Sequence, residues 1–169
     1  MKWIWIVLGT LAGLIAIVAV VGAMLPVGHV ASRRARYRQS PDTIWAAIDG
    51  PQDWRPGFGH YELLPEREGR RVWREDIGGD RITFERISAD APWRLETRIA
   101  QTGHPFGGTW IYEIEPGEGG CVVRVTERGE VYNVFFRFIS RFIMGHATSL
   151  EPSLRALGKK FGEEARIEE

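Results

Sequence analysis

Glu127 is the residue whose type and position most invite chemistry. In the run from Cys121 to Glu127, alternate residues share one face of an extended strand, and Cys121, Val123 and Val125 mark that face as the inner one. A carboxyl on an apolar face loses its water, which raises its pKa and suits it to general acid or base work. The alternatives are pairing with an arginine or a bulge that turns the side chain to solvent. By the same count Tyr112 and Thr97 fall on the inner faces of two other strands. Their hydroxyls can orient a ligand, or they are core residues with a satisfied polar tip. Spacing alone assigns no catalytic residue, but an acid-base pair of Glu127 and Tyr112 is one arrangement to test.

The remaining reactive types assemble no site. His29, His60, His104 and His146 lack metal-ligand spacing, so no metal is expected. The glycine pairs fall at turn positions rather than in a phosphate loop or dinucleotide fingerprint, and no cofactor is expected. Cys121, the single cysteine, can form neither an internal disulfide nor a thiolate zinc cluster, and it reads as an inert core residue. Only Lys2 of the 22 basic side chains lies in the first 25 residues, leaving 21 against 22 acidic groups in the remainder. That balance argues against a nucleic-acid partner, which needs a basic excess.

Positioning the inner-face groups requires a sheet. From His60 onward, short runs of aromatic and branched residues are broken by Gly, Asp and Pro, the pattern of an antiparallel meander. Strands are expected at 60–66, 71–77, 81–88, 93–100, 108–114 and 121–131, with 103–108 as the longest break. Trp93, Leu95, Thr97 and Ile99 take the inner face opposite Arg94, Glu96 and Arg98; Trp110, Tyr112 and Ile114 take it opposite Glu113 and Glu115. Seven tryptophans exceed what a packed core needs. Trp45, Trp54, Trp73, Trp93 and Trp110, with Phe58, Phe84, Phe106 and Tyr112, can line an aromatic pocket or fill a core.

Helices flank the meander. A strand at 29–39 leads to Ser40-Pro41-Asp42, where Ser40 can cap, Pro41 fits the first helical position and Asp42 complements the dipole of a helix over 43–49. Residues 52–59, with Pro56, Gly57 and Gly59, read as a short turn or a broken helix followed by loop. From Asn133 to about 164 the spacing of Phe135, Phe138, Ile139, Phe142, Ile143, Leu150, Leu154, Leu157 and Phe161 predicts a long amphipathic helix. Gly145 and Pro152 predict a bend or break near its middle.

Residues 3–25, opened by Trp3 and closed by Leu25, contain no charge, and at about 1.5 Å of rise per residue they cover a hydrocarbon core of roughly 30 Å. A single membrane span is expected, with Trp3 and Trp5 in the interfacial belt. A secretory signal peptide is the alternative, with a small-residue cleavage site at Val21-Gly22-Ala23. Arg33, Arg34, Arg36 and Arg38 follow the span and only Lys2 precedes it, which predicts an outside amino terminus and a cytoplasmic soluble domain. The same arginines can touch anionic headgroups. The expected division is an anchor at 1–28 and one soluble domain at 29–169.

Three segments carry a resemblance: residues 40–45 (SPDTIW), residues 105–113 (PFGGTWIYE), and residues 126–131 (TERGEV) running into 136–145 (FRFISRFIMG). They resemble the START-like (SRPBCC) superfamily, more narrowly its polyketide cyclase/dehydrase-like branch, over about residues 30–165. The resemblance implies an α+β helix-grip fold, a curved seven-stranded antiparallel sheet around a long C-terminal helix, with a ligand cavity between them. On that architecture the expected ligand contacts are Trp73, Phe84, Leu95, Thr97, Trp110, Tyr112, Glu127, Phe138 and Phe142, and the expected ligand is a hydrophobic small molecule or lipid. The superfamily also holds aromatic cyclases and proteins without known chemistry. Membrane-anchored binding, a cyclase or dehydratase-type lyase, and an interaction domain with a vestigial cavity therefore remain open.

Overall fold

The computed structural model describes residues 2–100, 103–144 and 150–168. Helix α1, Lys2–Met24, stands clear of the rest of the chain along most of its length and is long and apolar enough to cross a membrane. Strand β1, Gly28–Tyr37, follows at once, and then the short helix α2, Pro41–Ile48. Ser40 caps α2 by accepting from the Thr43 amide at 3.2 Å, with Pro41 at the first helical position. Strands β2 (Phe58–Arg67), β3 (Arg70–Ile77), β4 (Asp80–Asp90), β5 (Arg94–Ile99), β6 (Phe106–Gly117) and β7 (Gly120–Val131) form the meander. Every pairing is antiparallel, and the sheet runs β2-β3-β4-β5-β6-β7-β1, closed at its far edge by a short β8, Arg166–Glu168.

The α+β helix-grip fold is therefore present, with two differences of detail. An eighth strand joins the seven expected: β8 pairs with Arg34–Arg36 of β1, and three residues are too few to show a period. The terminal helical region is described in three stretches. Helix α3 spans Val134–Ile139, a π-helical turn spans Ser140–Met144, and α4 spans Leu150–Lys160. Pro152 lies near the beginning of the described part of α4. Gly145, to which the bend was also assigned, and His146 lie outside the described residues.

Ladder register fixes the inner face. Trp73, Phe84 and Ile99 sit in line across β3, β4 and β5, and Trp110, Glu127 and Ala31 sit in line across β6, β7 and β1. One core cluster joins α2 (Ile44, Ala47, Ile48), α4 (Leu150, Leu154, Leu157) and the inner faces of β1, β6 and β7; a smaller one gathers Trp73, Ile82, Phe84 and Ile99. The basic residues after α1 belong to the domain: Arg33 pairs with Glu151 at 3.1 Å, Arg34 with Glu168 at 3.1 Å and Arg38 with Glu163 at 3.2 Å. Trp93, expected inside, is exposed, because β5 begins only at Arg94 and Trp93 occupies the preceding turn, its amide bonded to the Asp90 carbonyl at 2.7 Å.

The segment between α2 and β2 is held down at several points. Gln52 donates to the Ile48 carbonyl at 2.7 Å and Trp54 to the Ala47 carbonyl at 2.9 Å. Arg55 reaches over the sheet to Glu75, 3.7 Å away and fully buried on β3. One Glu75 oxygen accepts from the Trp73 indole at 2.9 Å, while the other has no hydrogen-bond partner. Burial pushes the Glu75 carboxyl above its ordinary value, and Arg55 and Trp73 offset this only in part.

Leu157 is 0% exposed at the contact of α4 with the sheet, so Leu157→Ala should cost about 2–5 kcal/mol, whereas exposed Arg155→Ala should stay within about 0.5 kcal/mol. Urea unfolding of the full chain in detergent measures both. For Glu75 the raised carboxyl binds a proton more tightly folded than unfolded, so its contribution to stability is complete below about pH 4.5 and is lost as pH rises through the raised value. Glu75→Gln should remove that part of the pH dependence; an unchanged slope above pH 4.5 would contradict the assignment.

Candidate functional site

Between sheet and helices lies a cavity of about 490 Å³. Its far wall is apolar: Ile77 of β3, Ile82 and Phe84 of β4, Ile99 of β5 and Phe106 of β6. Leu150, Leu154 and Leu157 of α4 close one side, and Trp54, Arg55 and Pro56 lie over it from the loop. Toward β1 and β7 the lining becomes polar, with His29 of β1, Tyr112 and Trp110 of β6, and Glu127 of β7. An apolar body with a few convergent polar groups at one end suits an amphipathic small molecule.

Two polar groupings face this space. In the first, one Glu127 oxygen lies 3.6 Å from His29 Nε2 and the other accepts from the Trp110 indole N–H at 3.3 Å. Strand register produces this contact, because Trp110 lies directly opposite Glu127 on the neighbouring strand and His29 is two residues along β1 from Ala31, which also faces Glu127. Gly129 makes room for the imidazole: a Cβ there would collide with His29. In the second grouping, Arg55 donates to the Tyr112 hydroxyl at 2.6 Å while leaning on Glu75. The adjacent phenol and the Glu75 carboxylate raise the Arg55 pKa against the opposing pull of burial, so it stays a cation at the cavity wall.

Of the nine expected contact residues, Phe84, Trp110, Tyr112 and Glu127 line the cavity. Trp73 stands one layer back, stacked on Phe84 with ring centroids 5.7 Å apart. Leu95 and Thr97 face inward as the alternation requires, but Leu95 is packed into the core cluster that includes α2, and Thr97 is buried beside Trp110 in the ladder, so neither reaches the cavity. Phe138 and Phe142 contact each other at 4.9 Å and are absent from the lining. The cause is the orientation of α3: Arg137 donates to the Leu25 carbonyl at 3.0 Å, which turns the aromatic side of the helix outward. Cys121 is fully buried and its thiol is pushed up to about 11, an unreactive state.

Three polar residues at or beside the cavity, His29, Arg55 and Glu75, were not singled out from the sequence. Glu75 carries the same signal that picked out Glu127, since Trp73 and Ile77 flank it at two-residue spacing on an inner face. His29 opens a strand whose inner residues are mixed in polarity, and Arg55 sits on a turn with no period to read.

The comparisons with known proteins agree with this architecture. A conserved protein from Geobacillus kaustophilus superimposes with a TM-score of 0.64 at 13% identity, over 82% of this chain and 99% of that one. Norcoclaurine synthase from Thalictrum flavum gives 0.58 at 17% identity, over 80% and 87%. The di-domain ARO/CYC StfQ from the steffimycin biosynthetic pathway gives 0.60 at 10% identity over 78% of this chain, which spans only 50% of that protein's length. Identities this low establish a shared fold and nothing more. No curated protein sequence matches. A family model does, over residues 30–162, which takes in most of β1, all of β2 to β7, and α2, α3 and α4. On that match the chain belongs to the polyketide cyclase / dehydrase and lipid transport family.

Proposed function

We propose that this protein is a membrane-anchored binder of an amphipathic small molecule or lipid, anchored by residues 1–28 and binding it with residues 29–169. The observation that carries the reading is the 490 Å³ cavity, apolar at the β3–β4 end and polar at the His29–Glu127 end. The family's description, which includes lipid transport, supports the same class of ligand. The proposed contacts are Phe84, Trp110, Tyr112 and Glu127 from the cavity wall, joined by His29 and Arg55, with Trp73 supporting Phe84 from behind.

Anchoring by α1 is favoured over a cleaved signal by how the end of α1 joins the domain. Gly22 packs so closely on Val134 that a Cβ would collide with its carbonyl, Arg137 bonds the Leu25 carbonyl, and the Val131 amide donates to the Val27 carbonyl at 2.9 Å. Cleavage at Ala23 would discard Gly22 and that packing. The arginines after α1 favour a cytoplasmic domain even though acidic partners hold all four of them, because the orientation rule counts basic residues and gives acidic ones little weight.

A catalytic reading has its own support. Glu127 and Tyr112 line the same cavity on adjacent strands, in diagonal register. On this reading Glu127, set between His29 and the Trp110 indole, transfers a proton in a cyclisation or dehydration, while Tyr112, polarised by Arg55, is its acid partner.

Native mass spectrometry of the full chain extracted from its own membrane should reveal a retained amphipathic molecule. Ile77→Trp, which adds bulk to the apolar end, should lower retention about tenfold, or ~1.4 kcal/mol. Equal retention in a variant with an unshifted melting temperature would count against the cavity as the site. Once that molecule is in hand, Glu127→Gln separates the two readings. A carrier should bind within a few-fold of wild type and convert nothing in either form. A lyase should convert the molecule and lose about 10²–10⁴-fold in turnover on substitution.

A further inference from the structure

The segment from α3 through the π-helical turn is amphipathic the wrong way round for a soluble domain. At about 100° per residue, Phe135, Phe136, Ile139, Phe142 and Ile143 fall on one arc and Arg137, Ser140 and Arg141 on the other. A helix at the surface of a globular domain turns its apolar arc to the core. Here Arg137 and Ser140 of the polar arc face the protein and are half-buried, while Arg141 is exposed. Arg137 bonds the carbonyls of Leu25 and Tyr132, and with Ser140 and Arg141 it borders a second hollow of about 310 Å³ at the end of α1. The apolar arc faces outward, with Phe136 53%, Phe142 59% and Ile143 72% exposed.

We propose that residues 134–143 lie in the membrane interface, flat against the bilayer that α1 crosses, and form a second lipid contact. The proposal rests on the single-span reading of α1. The occupant follows from continuity: α3 meets α1 backbone to backbone at Gly22, two residues before α1 ends at Met24, which is about 3 Å along the axis. That is the level at which a span leaves the hydrocarbon, and an in-plane helix buries its apolar face there, about 5–10 Å into the headgroup and acyl boundary. Exposed Val27 and Val30 line the second hollow between the end of α1 and the polar arc. The two hollows share His29, Val131 and Ser140 along their linings, so the ligand cavity would approach lipid on this side.

Nitroxide labels on single cysteines test this in the full chain, reconstituted in vesicles of phosphatidylcholine and phosphatidylglycerol; native Cys121 is buried and does not compete for label. Labels at Phe136→Cys, Phe142→Cys and Ile143→Cys should be relaxed more strongly by lipid-soluble oxygen than by a water-soluble nickel chelate, several-fold more than a label at Leu63→Cys, exposed on β2. Three positions are used so that a misfolded variant does not decide the result. If all three behave like Leu63 while a label at Ile15→Cys in α1 reports the bilayer interior, the interfacial placement is overturned and the anchor stands. If the Ile15 label also reports water, the anchor reading fails and this proposal with it.

Discussion

The width of the sheet governs the rest of the structure. Eight strands at about 4.8 Å spacing make a surface roughly 34 Å across, and a helix is about 10 Å wide. Helix α4, with 11 residues, is only about 16 Å long. It can cover the middle of the concave face, and α2 covers a further strip beside it, which is where the larger core cluster lies. Between α4 and strands β3 to β6 no other element among the described residues fills the curve. Side chains lean in from the loop at Trp54 and Arg55, but a cavity persists because nothing there is long enough to occupy it.

That unfilled strip explains how polar groups survive on an inner face. Buried polar atoms cost free energy unless partnered, and a partly satisfied set costs more than an apolar one. Glu127 meets His29 and Trp110 at the cavity edge, and Arg55 meets Tyr112 and Glu75. Glu75 is the most heavily buried of the group and keeps one oxygen unbonded. A core selected for stability alone would hold an apolar residue there, so the retained carboxyl is better explained by its contact with Arg55, whose guanidinium donates to the Tyr112 hydroxyl at the wall a ligand would touch.

Strands and turns were legible in the sequence because two-residue alternation is enforced by burial of one face. Cys121, Val123 and Val125 announced the inner face of β7, and Glu127 stood out against them. Helix α2 was legible from its cap. What periodicity could not supply was the identity of the medium each apolar stripe meets. Phe142 and Leu154 carry the same helical signal, yet Leu154 is buried against the sheet and Phe142 faces outward. The signal states that a helix has an apolar side and is silent on whether protein or lipid lies against it. It is the resemblance to the helix-grip architecture that places Phe138 and Phe142 at the cavity, which they do not line, and His29 and Arg55 escape a periodic reading because one lies on a strand of mixed inner polarity and the other on a turn.

The end of α1 is bonded into the domain beside the cavity. Val131, at the end of β7, is bonded to Val27 and lines both hollows; Gly28 to Tyr37 run from that point along β7 with no linker between helix and strand. A flexible tether would let the domain tumble and present any face to the bilayer. Here three residues separate Met24 from the first strand, so the His29–Glu127 end of the cavity has a fixed aspect toward α1 and the Ile82–Phe84 end lies across the sheet from it. Phe84 and Ile99 on one side, and Gly108, Gly129 and His29 on the other, lie at the same level along the strands, so the gradient runs across the sheet and not along it. An amphipathic ligand aligned with it therefore lies across the strands, its polar part beside β1 and β7 and its apolar part against β3 and β4.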